Sequence, residues 1–283
     1  MYVMKTELKK AVRTKYFLAA VSIGTAITIL SLVYNVGRLE TRKIYEGINP
    51  CYEGFTLFNS WIGGEPFSLG SSLYFFVFPL LIAIPYGWSF CGERTSGYMR
   101  QVIVRTGMKR YLTAKYIATF LSGGLAMILP LVINLLITAM FFPAIKPIPS
   151  YDTMYGVFGV SMFSELYYTH PFGYVGLYLL VDFIFCGALT CLTMISAWFV
   201  KYKWINCLFP FVVCMAINMV SRFLYTNEVG RQNYQISPFY FMRCSQTAYP
   251  ASFSIIMGMT AVLFFVTVAF HIIVTRNKKN EVL

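Results

Sequence analysis

Six long apolar runs constrain this 283-residue chain more than any motif in it. They occupy residues 16–36, 69–91, 116–142, 172–200, 204–225 and 248–275. Each is near or above the roughly 18–20 residues that a helix needs to cross about 30 Å of hydrocarbon. The first three contain no charged side chain. A transmembrane barrel would show alternating segments of about 10 residues between turns, and nothing here alternates over such a length. The expected fold class is therefore an all-α polytopic membrane protein with six transmembrane helices in a single domain. Composition agrees: 58% of residues are hydrophobic and 12% charged, against about 45–50% and about 25% in soluble domains. The first run is too long, and too closely followed by further spans, for a cleaved signal peptide, so it reads as a retained span.

A net charge of +12 would suggest nucleic acid in a soluble protein, but here its position relative to the spans matters more. Lys5, Lys9, Lys10, Arg13 and Lys15 precede span one, and Arg94, Arg100, Arg105, Lys109, Arg110 and Lys115 lie between spans two and three. Lys201 and Lys203 fill the turn after span four, and Arg276, Lys278 and Lys279 follow span six. That side carries only Glu7, Glu93 and Glu281 as acids, whereas the opposite side balances seven basic against seven acidic residues. Short basic loops stay cytoplasmic, so both termini and the 92–115 loop are expected inside, with Asn49 and Tyr155 outside. No segment outside the spans is long enough for a nucleic-acid-binding domain.

Residues 1–15 place Met4, Leu8, Ala11 and Val12 on one helical face and Lys5, Lys9 and Arg13 on another, the pattern of a helix lying in the membrane surface. The exterior loop 37–68 is rich in glycine and proline and reads as a small folded excursion. Loop 143–171 opens on Pro143, Pro147 and Pro149 and turns aromatic through Tyr151, Tyr155, Phe158, Phe163, Tyr167 and Tyr168, which predicts a helix on or dipping into the outer leaflet. Loop 226–249, with Tyr234, Pro238, Phe239, Tyr240 and Phe241, repeats the theme. No internal repeat relates the two halves, which argues against an inverted-repeat secondary transporter.

Chemistry-bearing residues are few. His170 and His271 belong to opposite ends of different spans and assemble no metal site, and HExxH, GxSxG and GxxxxGK[ST] are all missing. The chain reads as neither an enzyme nor a self-powered ATPase, with no cofactor of its own. Most of the seven cysteines behave as small apolar residues inside spans; Cys51 and Cys244 fall in exterior loops and form a candidate disulfide. Asp182 is the carboxylate placed well inside a span. Such a group marks a candidate substrate pathway if hydrated, or a packing hydrogen bond, to Asn134 or Asn218, if not.

The strongest local signal is the segment 93–111. Thr95 or Ser96 can cap a short helix, Tyr98, Met99, Val102 and Ile103 make one apolar face, and Gly107 can end it. Arg94, Arg100 and Arg105 are expected in solvent or against a partner. A short amphipathic helix in a cytoplasmic loop suits docking into another protein; the alternative is a helix whose arginines touch lipid phosphate.

With Glu93-Arg94, Gly97 four residues after the glutamate, Arg105-Thr-Gly-Met-Lys-Arg-Tyr111, and Lys115-Tyr116 opening span three, the chain resembles the ABC-2 type transporter permeases. That family has an amphipathic N-terminal helix, six spans and a coupling helix between spans two and three. Loop 143–171 is longer and more aromatic than is usual there. The resemblance implies a permease with no ATPase motif, paired with a second permease, identical or related, and with two cytoplasmic ABC ATPases that carry ATP and Mg²⁺. It assigns coupling to the ATPase to Glu93, Arg94, Gly97, Tyr98, Met99, Arg100, Val102, Ile103 and Arg105, and it implies export of a peptide, drug or lipid-like substrate across the cell membrane. The rival readings are a secondary transporter and a non-transporting sensor or assembly protein.

Overall fold

The computed structural model describes residues 2–45, 55–147, 157, 159–225, 234–245 and 249–277. Among them the chain forms twelve α-helices and no strand, with one isolated bridge between Gln235 and Ala251. In order these are α1 (Tyr2–Val12), α2 (Lys15–Tyr45), α3 (Leu57–Ser60), α4 (Leu69–Ala83), α5 (Gly87–Thr95), α6 (Tyr98–Thr106), α7 (Met108–Thr138), α8 (Ser164–Thr169), α9 (Pro171–Ser196), α10 (Lys203–Tyr225), α11 (Pro238–Phe241) and α12 (Phe253–Asn277). Six stretches are long and apolar enough to cross a membrane: Val3–Arg38, Leu69–Thr95, Met108–Thr138, Pro171–Ser196, Lys203–Leu224 and Phe253–Arg276. The chain is an all-α multi-pass membrane protein. In hydrocarbon each backbone N–H and C=O must be bonded within its own helix, so the apolar runs leave little other choice.

Several boundaries differ from the sequence reading: α2 runs on to Tyr45, α9 ends at Ser196 and α12 starts at Phe253. The run 69–91 is two helices, α4 and α5, separated at Ile84, Pro85 and Tyr86, where proline lacks the N–H that would continue the ladder. Span three starts earlier, at Met108, and ends at Thr138 rather than at 142. The intervening Lys109, Arg110 and Lys115 do not stop the helix, because charged residues are tolerated near the end of a span where they reach water or a partner.

Helices α7 and α9 form the centre, with α2 packed on α4 and α7, and α10 packed on α4, α5 and α9. Without a hydrophobic drive between helices in lipid, close approach through small residues supplies the packing. A Cβ at Gly187 in α9 would lie 2.6 Å from the Phe120 ring of α7, and a Cβ at Gly70 in α4 would run into the backbone of Ser31 in α2. Helix α12 leans mainly on α9 and is the least embedded of the six spans.

At the end of the bundle away from α6, loop segments fold back into it. The Asn134 side chain of α7 accepts from the Ile62 N–H at 3.0 Å and donates to the Thr28 carbonyl at 3.0 Å, fastening the turn after α3 to α2 and α7. Glu65, fully buried, accepts the backbone N–H groups of Phe67 and Ser68. Helix α11 buries Phe239 and Phe241 against Phe78 and Phe185. Tyr167 of α8 is buried beside Tyr174, and Phe163 stands at its start with a left-handed backbone. Tyr151, Tyr155 and Phe158, named for this aromatic segment, lie outside the described residues.

Candidate functional site: a buried ion cluster beneath α6

Helix α1 meets the bundle through an acidic residue on its apolar stripe. Glu7 lies one turn from Met4 and from Ala11, and it is buried together with Ala11. It faces Lys115, in the second turn of α7, whose side chain is wholly buried. The Lys115 ammonium donates to Glu7 Oε2 at 2.7 Å, Glu93 Oε1 at 2.7 Å, Tyr86 Oη at 2.9 Å and Ser89 Oγ at 2.9 Å. Tyr86 in turn donates to Glu7, and Tyr111 donates to Glu93 Oε2 at 2.5 Å. Lys10, half-exposed, closes the group at 3.0 Å from Glu7 Oε1 and 3.7 Å from Glu93 Oε1.

Two carboxylates therefore face two ammonium groups, with Glu93 Oε2 accepting from the Tyr111 phenol and Glu7 Oε2 accepting from both Lys115 and the Tyr86 phenol. A buried ion that is both paired and fully hydrogen-bonded is the case in which the desolvation cost is recovered. The cluster joins three elements distant in sequence: α1, the α5 segment after the Pro85 break, and α7. The Lys115 side chain also passes close to the rings of Tyr86, at 4.6 Å, and Tyr111, at 5.9 Å. These rings screen the site from water and lipid, so the pairing acts at short range and strongly.

Glu93, Tyr111 and Lys115 all belong to the motif read from the sequence, whereas Glu7 appears there only as an acid on that side of the spans and Tyr86 and Ser89 carry no sequence signal. A signal for Glu7 was available: it interrupts the apolar stripe of an amphipathic helix, where an acid is costly unless partnered.

Helix α6 stands directly over this cluster. It is bracketed by Gly97, with φ of 76°, and Gly107, with φ of 79°, both in the region where a side chain is strained. The cap is thus Gly97, not Thr95 or Ser96. The Thr95 hydroxyl bonds back to the Cys91 and Gly92 carbonyls, and that of Ser96 to the Glu93 carbonyl. Met99 and Ile103 are buried against Phe90, Tyr111, Leu112, Met194 and Val274 of this chain, with half-buried Val102 beside them. Tyr98 departs from that face: it is 42% exposed, with the Lys10 ammonium 5.2 Å from its ring centre. Val104, 77% exposed, and the exposed Arg100 and Arg105 complete the outer surface.

Arg94 does not stay in solvent. It donates to the carbonyls of Ala197 at 2.5 Å and Trp198 at 2.7 Å and lies over the Trp198 ring, so it caps the C-terminal end of α9. The α5–α6 loop is thereby pinned to α7 through Glu93 and to α9 through Arg94.

Asp182 is elsewhere, midway along α9. It is 1% exposed, and neither carboxylate oxygen has a hydrogen-bond partner. Its expected partners are engaged otherwise: Asn134 as described, and Asn218 as acceptor from Ser237 Oγ at 2.9 Å. The phenols of the surrounding core also bond to backbone, Tyr74 to Met127 at 2.6 Å, Tyr174 to Cys244 at 2.8 Å and Tyr178 to Arg243 at 2.7 Å. Of the candidate disulfide, Cys51 lies outside the described residues, while Cys244 is buried and carries a free thiol. Burial, reinforced by the Asp182 carboxylate, pushes that thiol well above the usual cysteine range. Compared with known proteins, the chain finds no matching family model, no similar curated protein and no similar solved structure.

Proposed function

We propose that the chain is the permease subunit of an ATP-driven transporter of the ABC-2 type, exporting a peptide, drug or lipid-like substrate across the cell membrane. In this reading it pairs with a second permease and with two separate cytoplasmic ATPases that bind ATP and Mg²⁺, and both termini and α6 face the cytoplasm. The observation that carries it is the construction of α6. This short helix is bracketed by two glycines with positive φ, presents Tyr98, Arg100, Val104 and Arg105 outward, and follows directly on α5, whose Glu93 and Arg94 are bonded to α7 and to the end of α9. A push on its outer face would reach the α7–α9 centre through ionic and hydrogen-bonded links rather than through a compliant loop. Lys115 would carry the same push to α1.

The test is to purify the tagged chain from its native membranes and identify the co-purifying proteins. A span-free ATPase with a phosphate loop is the expected partner. Tyr98→Ala with Val104→Ala removes two outward side chains without opening the inward cluster. It should release that ATPase, since buried interface anchors commonly account for about 2 kcal/mol or more. Retention at wild-type affinity sinks the coupling assignment. The unpartnered carboxylate of Asp182 favours a second reading, proton-coupled transport. That reading predicts substrate movement abolished by an uncoupler yet indifferent to ATP depletion.

A further inference from the structure

The face of α9 that carries Asp182 is covered by irregular chain rather than by another span alone. Tyr174, Tyr178, Asp182 and Phe185 recur at helical spacing along α9 and so share one face. The segment 237–245 lies along it. Tyr178 donates to the Phe241 carbonyl at 2.5 Å and to the Arg243 carbonyl at 2.7 Å, Tyr174 donates to the Cys244 carbonyl at 2.8 Å, and the Phe241 ring stands 5.2 Å from that of Phe185. Apart from the single turn of α11 this segment is not helical, yet its Phe241, Met242 and Cys244 are buried. Irregular backbone at such depth is tolerated only inside protein or beside a water-filled cavity, and it is the kind of element that builds ion sites within a membrane.

The titratable groups around Asp182 are Tyr74 of α4, Tyr174, Tyr178 and Cys186 of α9, and Cys244 of the covering segment. All three phenols give their protons to backbone carbonyls and none to the acid. Cys214 of α10 stands behind Cys186. Helix α7 has no titratable side chain between Tyr116 and Thr138, and those of α12, His271 and Arg276, belong to its α6 end. The cation of the covering segment turns away: the Arg243 guanidinium donates to the Pro66 carbonyl at 3.4 Å and lies over the Phe75 and Tyr240 rings. An ionised Asp182 would thus keep its whole desolvation penalty in this arrangement, whereas the neutral acid needs no counter-charge.

We propose that Asp182 is a proton-binding site gated by the segment 237–245: the segment stays closed over α9 while the acid holds its proton, and lifts to admit water when the proton leaves. In that step the O–H bond of the acid breaks, its electron pair stays on the carboxylate, and water entering from the end away from α6 takes the proton. The proposal needs neither transport reading, since it concerns the chain without ATPase or substrate. A plain packing role for the acid makes the opposite prediction, that its charge and the position of the segment are unlinked.

The test uses the purified full chain in detergent, titrated from about pH 6 to about pH 9, the upper limit being where buried carboxyls are known to titrate. Infrared spectra should show a protonated-acid C=O band that Asp182→Asn lacks and that fades as pH rises. Tyr178→Phe removes two of the hydrogen bonds that hold the segment down. Because linked equilibria are reciprocal, it should move that fading lower by about one pH unit, a tenfold change. The second readout is labelling of Cys244 by an impermeant maleimide, with the other six cysteines replaced. Its rate, divided by the rate in the same protein carrying Asp182→Asn, should rise at least about fivefold across the range, the lower end of coupling between sites. Burial already holds the Cys244 thiol up, and an ionised Asp182 adds to this, which by itself would lower the ratio; a rise therefore reports opening and not thiol chemistry. An acid band missing at the low end or unchanged at the high end overturns the proposal. So does a labelling ratio that stays level or falls, or a band whose pH dependence is the same in Tyr178→Phe.

Discussion

Replacing Lys115 with Met would remove the centre of the ion cluster while keeping most of the side-chain volume. In its place Glu7 and Glu93 would share a buried site with only Lys10, which is half-exposed and lies 3.0 Å and 3.7 Å from them. Tyr86 and Tyr111 would still donate, yet two phenols do not neutralise two carboxylates. Removing one partner of a buried ion pair typically costs about 3–5 kcal/mol, because the remaining charge keeps its desolvation penalty and loses its counter-charge. A shift of unfolding midpoint on the order of 10 °C follows for a chain of this size. Thermal unfolding of the purified variant, followed by helical circular dichroism, measures it.

A double-mutant cycle sharpens the test. Glu7→Gln alone should destabilise, but Glu7→Gln combined with Lys115→Met should cost less than the two together, with a coupling of about 1–3 kcal/mol. Strict additivity, or a Lys115→Met variant within about 1 kcal/mol of the wild type, would refute the claim that this cluster holds α1 against α7.

Gly97→Ala should destabilise by about 1–2 kcal/mol from backbone strain alone, since nothing stands near its missing Cβ; an unchanged midpoint would contradict the left-handed cap. Asp182→Asn is expected to leave stability unchanged or raise it, because no hydrogen bond is lost. A loss above about 1 kcal/mol would reveal a partner, and reduced transport in the stable variant would place Asp182 on the substrate path. Thiol reagents attack the thiolate, and burial holds the Cys244 pKa up, so with the other six cysteines replaced its labelling at pH 8 should be much slower than that of a thiol of ordinary pKa. Labelling as fast as that of an exposed cysteine refutes the buried placement. For orientation, a cysteine at Thr106 should be protected from an impermeant reagent added to intact cells while one at Tyr155 reacts, and the reverse pattern would invert the topology.

The apolar runs were enough, by themselves, to dictate six helical spans and their order, though not the break at Pro85 within the second, because hydrocarbon leaves the backbone no partner but its own helix. The uneven lysines and arginines yield an expected orientation for the same kind of reason, one that acts on each loop separately. Gly107 as a helix end, the amphipathic α1 and the folded excursions of the loops were also local properties, legible in residues a few positions apart. Which faces meet is a different kind of information. Glu7 and Lys115 are 108 positions apart, and neither carries a mark naming the other; only the packing of α1 on α7 brings them within 2.7 Å.

The same limit explains Arg94, which reads as a solvated coupling residue until α9 ends beneath it, and Met99 and Ile103, whose apolar face could equally have served a partner protein or this chain's own core. It also explains the empty hydrogen-bonding shell of Asp182, whose expected amide partners, Asn134 and Asn218, accept from Ile62 and Ser237 instead. Periodicity tells which side of a helix is apolar, whereas the tertiary structure alone decides what that side is pressed against, since the partner is chosen by the shape and charge of every other helix at once.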